Sequence, residues 1–218
     1  MTIKRNKLIN AQAAVLIVMM VLLCSSAWAG PATEQIKGFL NQAINILNDP
    51  SLKAPQKKSE KRQVFSKLGQ EIFDWEELAK RALGKSHWQK ATKEEKPEFV
   101  KTFQVIMERT YFDKIDTFLA KENNFSSENI LYLNEKSKGP YTVVETQVKG
   151  KDSEIPVHYL LKNKQENWFI CDIAIEGISI VKNYRAQFNE ILATSSIKDL
   201  IAKLKSKQQD KPVSGKKG

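Results

Sequence analysis

Between positions 33 and 48 apolar residues return every three or four places, at Ile36, Phe39, Leu40, Ala43, Ile44 and Leu47. That spacing lines one face of a helix, with Thr33 as its cap and Asp49-Pro50 as its stop. A second helix follows Pro55 and carries Val64, Phe65, Leu68 and Ile72 on one side. The third has the best-marked start. Asp74-Trp75-Glu76-Glu77 is a capping-box pattern, and Phe73 and Leu78 take the two hydrophobic-staple positions around it. Gly84 is its stop. Residues 92–121 hold the longest helical pattern, through Phe99, Phe103, Ile106, Met107, Tyr111, Ile115, Phe118 and Leu119. Two starts are written there: Thr92-x-x-Glu95 is a capping box, while Pro97 prefers the first turn.

Past Asn124 the period falls to two. Residues 130–132, 141–148, 155–161 and 168–175 read as four strands, separated by Gly139-Pro140, Gly150-Lys151-Asp152 and the polar stretch 163–167. Connections this short favour an antiparallel meander. Helical period returns from Ser179 through Ile180, Val181, Tyr184, Phe188 and Ile191, and Ser196-x-x-Asp199 opens a last amphipathic helix with Ile197, Leu200, Ile201 and Leu204. The order is four helices, four strands and two helices. It predicts an α+β fold, in which helices pack on a twisted four-stranded antiparallel sheet.

The first 29 residues belong to neither half. Lys4, Arg5 and Lys7 precede an unbroken apolar run of eleven, Ala13 to Leu23, and Ala27-Trp28-Ala29 offers small residues for cleavage before Gly30. This is the plan of a secretory leader. The run is short of the roughly 20 residues that a spanning helix needs. The expected organisation is a leader at 1–29, a folded domain at 30–205 and a basic flexible tail at 206–218, with the protein in the periplasm. Loss of Lys4, Arg5 and Lys7 with the leader takes 35 basic residues to 32 against 25 acidic ones, a net charge of +7. Much of that excess sits in the tail, which reads as a solvated end. Export argues against nucleic acid as a partner. Of two cysteines one, Cys24, leaves with the leader, so Cys171 has no internal disulfide partner and packing must supply the stability.

Candidate chemistry is sparse. His87 and His158 are the only histidines, and neither has a cysteine or carboxylate at ligand spacing. Neither GxGxxG nor GxxxxGK[ST] occurs, and no GxSxG elbow is present. A triad of His158, Asp172 and Ser153 can be drawn only on paper. What remains is apolar surface: the stripe of the long helix, and the strand positions Val144, Val148, Val157, Tyr159, Leu161, Phe169, Cys171 and Ile173. Periodicity does not separate a filled core from one enclosing a hollow. An enzyme using a histidine base on lipid or cell-wall substrates, and a chaperone-like adapter with a filled core, stand as alternatives.

Four blocks of this sequence resemble the MlaC, or toluene-tolerance, family. They are Phe73-Asp74-Trp75-Glu76-Glu77-Leu78-Ala79 with Ala82-Leu83-Gly84-Lys85 and Trp88; Ala91-Thr92 with Phe99, Phe103 and Thr110-Tyr111; Ile155-Pro156-Val157-His158-Tyr159 with Trp168-Phe169-Ile170-Cys171-Asp172; and Ile175-Glu176-Gly177-Ile178-Ser179 with Asn183-Tyr184-Arg185, Phe188, Leu200-Ile201 and Leu204. The resemblance implies a phospholipid carrier without catalytic residues, cofactor or metal. Its partners would be an inner-membrane ABC-type transporter with its substrate-binding ring protein, and an outer-membrane lipoprotein–porin complex. It also implies an apolar cavity between sheet and helices. The residues expected to line it are Phe73, Leu78, Phe103, Ile106, Met107, Tyr111, Val144, Val148, Val157, Tyr159, Leu161, Cys171 and Ile173. Lys80, Arg81 or Arg185 would stand at the rim, although Arg185 reads more naturally as a partner of Glu176 or Asp172.

Overall fold

The computed structural model describes residues 30–122 and 124–209. The proposed leader at 1–29 and the last nine residues lie outside that range.

Helix α1 (Pro31–Asn48) starts two residues before Thr33, with proline in the first turn, where its missing N–H costs nothing. Thr33 is therefore not the cap. Its N–H and hydroxyl both donate to Glu135 Oε2, at 2.8 and 2.6 Å, so a carboxylate from the sheet satisfies the free donors of this helix end. The buried face is the expected one, from Ala32 and Ile36 to Leu47. Asp49 stops the helix by accepting from the N–H and hydroxyl of Ser51 in a 3₁₀ turn. A second such turn at Pro55–Lys57 leads into α2 (Lys58–Ile72).

Phe73 leaves α2 in extended conformation and bridges Ile170, and the Asp74 N–H then donates to the Ile170 carbonyl at 2.9 Å. With that N–H taken, only half of the expected capping box forms. Asp74 accepts from Glu77 N at 3.2 Å and starts α3 (Trp75–Leu83), while the Glu77 carboxylate is free to bond elsewhere. Gly84 does end α3, but it also starts α4 (Lys85–Lys90). Its φ of 85° with ψ of 151° is accessible to glycine almost alone, which turns the stop into a joint between two helices. The two starts predicted for the long helix coexist. Thr92 and Glu95 exchange side-chain bonds at 2.9 and 3.1 Å, and Pro97 sits in the first turn of α5 (Glu95–Lys121).

The sheet is an antiparallel meander in the order β1 (Ile130–Lys138), β2 (Tyr141–Lys149), β3 (Glu154–Lys164), β4 (Asn167–Ile175), β5 (Ile178–Ser179). Two differences from the predicted four strands stand out. β1 continues six residues past Tyr132 through a polar stretch, since an edge strand needs little apolar alternation when its outer half faces water. A fifth strand of two residues, too short to show any period, pairs with Ala174 and Ile175 across a turn at Glu176-Gly177, both at positive φ. The β3–β4 turn narrows to Gln165-Glu166, again both at positive φ, which matches the right-handed twist of the flanking strands.

Helix α6 (Ile180–Leu192) is capped by Ser179, whose hydroxyl accepts from Lys182 N and donates to Asp172. Asp172 also accepts from Val181 N at 3.1 Å. Ser196 and Asp199 close the expected box on α7 (Ile197–Gln209), which runs four residues beyond the predicted domain end at 205.

Three apolar clusters result. Leu78, Leu83, Phe99, Phe103, Val181, Phe188 and Leu200 join α3, α5, α6 and α7. Ile36, Phe39, Leu68 and Ile72 lay α1 and α2 on Val144, Tyr159, Leu161 and Ile170 of the sheet. Ile44, Leu47, Phe112, Leu119, Phe125 and Ile130 fasten the far end of α5 to α1 and β1. Helix α5 thus belongs to two clusters.

Candidate functional site

Strand register decides which side chains share the helix-facing side of the sheet, because alternate residues point the same way. Four rows face the helices. They are Ser137, Thr142, Leu161 and Ile170; then Glu135, Val144, Tyr159 and Ile173; then Tyr132, Thr146, Val157 and Ile175; and last Ile130, Val148 and Ile155. In the first row Thr142, Leu161 and Ile170 are wholly inaccessible. In the second, Val144 and Tyr159 are buried and Ile173 is half-buried. In the third, Tyr132, Val157 and Ile175 are half-buried beside a buried Thr146, and in the fourth Val148 and Ile155 are half-buried beside a buried Ile130. Most of the half-buried apolar side chains of the inner face therefore lie in the third and fourth rows. Protein interiors are normally packed without gaps. Here α1 and α2 cover Val144, Tyr159, Leu161 and Ile170, and α1 with α5 covers Ile130 of the last row, while Val148, Ile155, Val157 and Ile175 stay half-buried.

The helical side shows the same pattern. Along α5, Phe99, Phe103 and Met107 are buried, but Ile106 and Tyr111 are only half-buried, and they pack on the helical cluster together with Ile173, Ile175 and Tyr184. Phe73 and Ile173 touch both the helical and the sheet clusters, so they stand where the two meet. The polar ends here are phenols. Burial raises the Tyr111 hydroxyl well above the ordinary phenol range, with Tyr184 and Asp172 adding to the shift. Burial also raises Tyr184, against a hydrogen bond with Thr110. Both remain neutral donors at any ordinary pH.

Of the thirteen residues expected to line a cavity, Phe73, Ile106, Tyr111, Val148, Val157 and Ile173 are half-buried, while Leu78, Phe103, Met107, Val144, Tyr159, Leu161 and Cys171 are buried among other side chains. Cys171 stands apart from the rows. It is the extra residue of a bulge, since Leu160 pairs with Asp172 and Leu161 with Ile170. Its thiol donates to the Leu160 carbonyl, and burial pushes its pKa up to about 12. Tyr132, Ile155, Ile175 and Tyr184 were not among the thirteen. Ile155 and Ile175 carry the alternation that marks their neighbours; the half-exposure of Tyr132 and Tyr184 has no local signal.

The basic residues expected at a rim are mostly committed. Arg185 does not pair with Glu176 or Asp172. Its Nε donates at 2.7 Å to the carbonyl of Arg81, near the C-terminal end of α3, and its Nη2 donates to the same oxygen. There a cation complements the helix dipole. Arg81 bonds Glu77, and Lys80 is exposed. Glu77 is the junction of this region. It accepts from Arg81 Nε at 3.2 Å, Tyr141 Oη at 3.3 Å and Lys162 Nζ at 3.1 Å, tying α3 to the β2–β3 hairpin. Burial pulls the pKa of its carboxyl up, but the bonds from Lys162 and Arg81 outweigh that and hold it below 4.5. A depressed folded pKa means stability that is present above the unfolded value and lost as pH falls through the folded one. Glu77→Gln should lower stability by about 1–2 kcal/mol at pH 7, the scale of charge-assisted bonds. The difference between the two proteins should close as pH falls below 4.5. Melting curves of both from pH 7 to pH 3 measure this, and a gap that stays constant with pH would refute the charge argument.

The paper triad is not assembled. Ser153 precedes β3 and His158 lies five residues on, about 16 Å along an extended chain. Both Asp172 oxygens are occupied at the start of α6. His158 lies on the outer face of the sheet, opposite Glu145. Among the described residues no group of three or more His, Cys, Asp or Glu side chains could hold a metal ion, and no helix is long and apolar enough to cross a membrane.

A solved structure of a phospholipid-binding protein from Ralstonia solanacearum, in complex with a phospholipid, superposes with a TM-score of 0.67 at 21% identity, over 82% of this chain and 97% of that one. The two share a fold. No curated protein sequence gives a match. The family model of the MlaC protein matches residues 37–206, from the second turn of α1 into α7. With more than three-quarters of its length matched in one run, the chain belongs to the MlaC family.

Proposed function

We propose that this protein is a phospholipid carrier of the periplasm, loading its cargo on the inner face of the sheet and shuttling it between the outer membrane and an inner-membrane ABC-type transporter to maintain outer-membrane lipid asymmetry. The observation that carries the reading is the incomplete burial of that face, where Val148, Ile155, Val157, Ile173 and Ile175 are apolar and only half-buried. The bound phospholipid in the Ralstonia solanacearum structure of the same fold supports it.

The physical demand is simple. Each CH₂ exposed to water costs about 0.8 kcal/mol, so two long acyl chains cost on the order of 20 kcal/mol. A carrier replaces that water with apolar wall and leaves the charged head group outside. The wall must be free of unpaired polar groups, each costing about 1–3 kcal/mol. Along the inner rows Thr146 meets this by donating to the Val157 carbonyl at 2.6 Å, and Thr142 by bonding Ser137 at 2.7 Å. Release requires a partner that binds a more open form better than the closed one. The ring protein of the transporter and the outer-membrane lipoprotein–porin complex would fill that role.

Native mass spectrometry of the protein taken gently from the periplasm, followed by extraction of bound small molecules, tests the proposal. The expected result is a mass increment of one phospholipid or more. Protein that carries no lipid from any preparation, and takes none from vesicles, would defeat it.

A further inference from the structure

The inner face holds a hydroxyl with nothing to bond. Tyr132 lies in the third row, across Thr146 from Val157, and its ring packs on both the sheet cluster and the cluster at the far end of α5. Its Oη is buried and has no hydrogen-bond partner. Other polar side chains of the same face are committed: Thr146 to the Val157 carbonyl, Thr142 to Ser137, and Glu135 to the start of α1. Burial, with Glu34 nearby, pushes the Tyr132 phenol up to about 12, so it is a proton donor under all physiological conditions.

Buried donors without partners are rare in native structures. A hydrocarbon chain laid against Tyr132 would leave this one as it is. A lipid has one kind of strong acceptor at the boundary of its hydrocarbon region, the carbonyl of an acyl ester. Resting on the carrier reading, we propose that the Tyr132 hydroxyl donates to an acyl-ester carbonyl of the bound lipid, so that the site selects ester-linked over ether-linked glycerophospholipid.

The test compares two ligands that differ only in that carbonyl. Lipid-free full-length protein is titrated with dioleoyl phosphatidylglycerol and with its di-O-oleyl ether analogue, in the wild type and in Tyr132→Phe. The wild type should prefer the diester by about tenfold, the ratio that a net hydrogen bond of about 1.4 kcal/mol gives. Tyr132→Phe should bind both lipids with the affinity of the wild type for the ether. Its lipid-free form should melt no lower than the wild type, because the hydroxyl has no protein partner to lose. Equal weakening of both lipids, a wild type without preference, or a lowered lipid-free melting temperature would each overturn the assignment. Wild type that binds neither lipid would overturn the carrier reading itself.

Discussion

Glutamate in place of Val157 or Ile173 should abolish lipid retention and leave the protein folded. Both side chains are half-buried on the inner face, two strands and three strands respectively from the edge strand β1. Without cargo a carboxylate there can still reach water, so folding loses little. With acyl chains against it the charge is desolvated without a partner, at a cost of several kcal/mol. At about 1.4 kcal/mol per factor of ten, the affinity falls by roughly 1,000-fold. Val144→Glu and Leu161→Glu provide the contrast. Their side chains are wholly inaccessible on the same face of β2 and β3, and a charge there should unfold the domain instead. Circular dichroism and extraction of co-purified lipid separate the two outcomes. A folded Val157→Glu protein that still carries lipid would remove this row from the binding surface.

Phe103→Ala is the substitution expected to cost most in stability. The ring is fully buried and lies 5.9 Å from Phe99, 5.1 Å from Tyr184 and 5.8 Å from Phe188, so it touches the seam between α5 and α6 from several sides. Removal leaves a cavity that the surrounding helices cannot close, for about 3–5 kcal/mol. In a domain of this size that lowers the melting temperature by roughly 6–20 °C. Lipid binding by the surviving folded fraction should change little, since Phe103 lies in the sealed part of the core. A change in Tm of only a degree or two would mean that the helices collapse onto the gap.

The elements that were legible in the sequence are those held together locally. The boxes Thr92–Glu95 and Ser196–Asp199 formed with the predicted partners, because all the atoms involved lie within one turn. The apolar stripe of α1 buries most of the residues that helical spacing put there, whereas α5 buries Phe99, Phe103, Met107 and Leu119 of its stripe, adds Phe112 and leaves Ile115 exposed. The meander followed from short turns between runs of alternating residues. Where a distant residue competes for the same backbone group, local reading goes astray. Glu135 displaces Thr33 at the start of α1, the Ile170 carbonyl takes the Asp74 N–H that Glu77 was to bond, and the Arg81 carbonyl claims Arg185. The polar half of β1 and the two-residue β5 carry no period to detect.

The sequence by itself determined the order of the main helices and strands, the apolar face of most of them, and the family. It did so because capping, amphipathic spacing and turn chemistry act over a few residues. Which apolar residues lie in the sealed core and which stay accessible on the inner face was decided by the tertiary structure alone. Val144 and Val157 are the same side chain on the same face of neighbouring strands, yet one is sealed and the other is not. The difference lies in how completely the neighbouring side chains close over each, and that depends on packing between segments about a hundred residues apart, which no local pattern encodes.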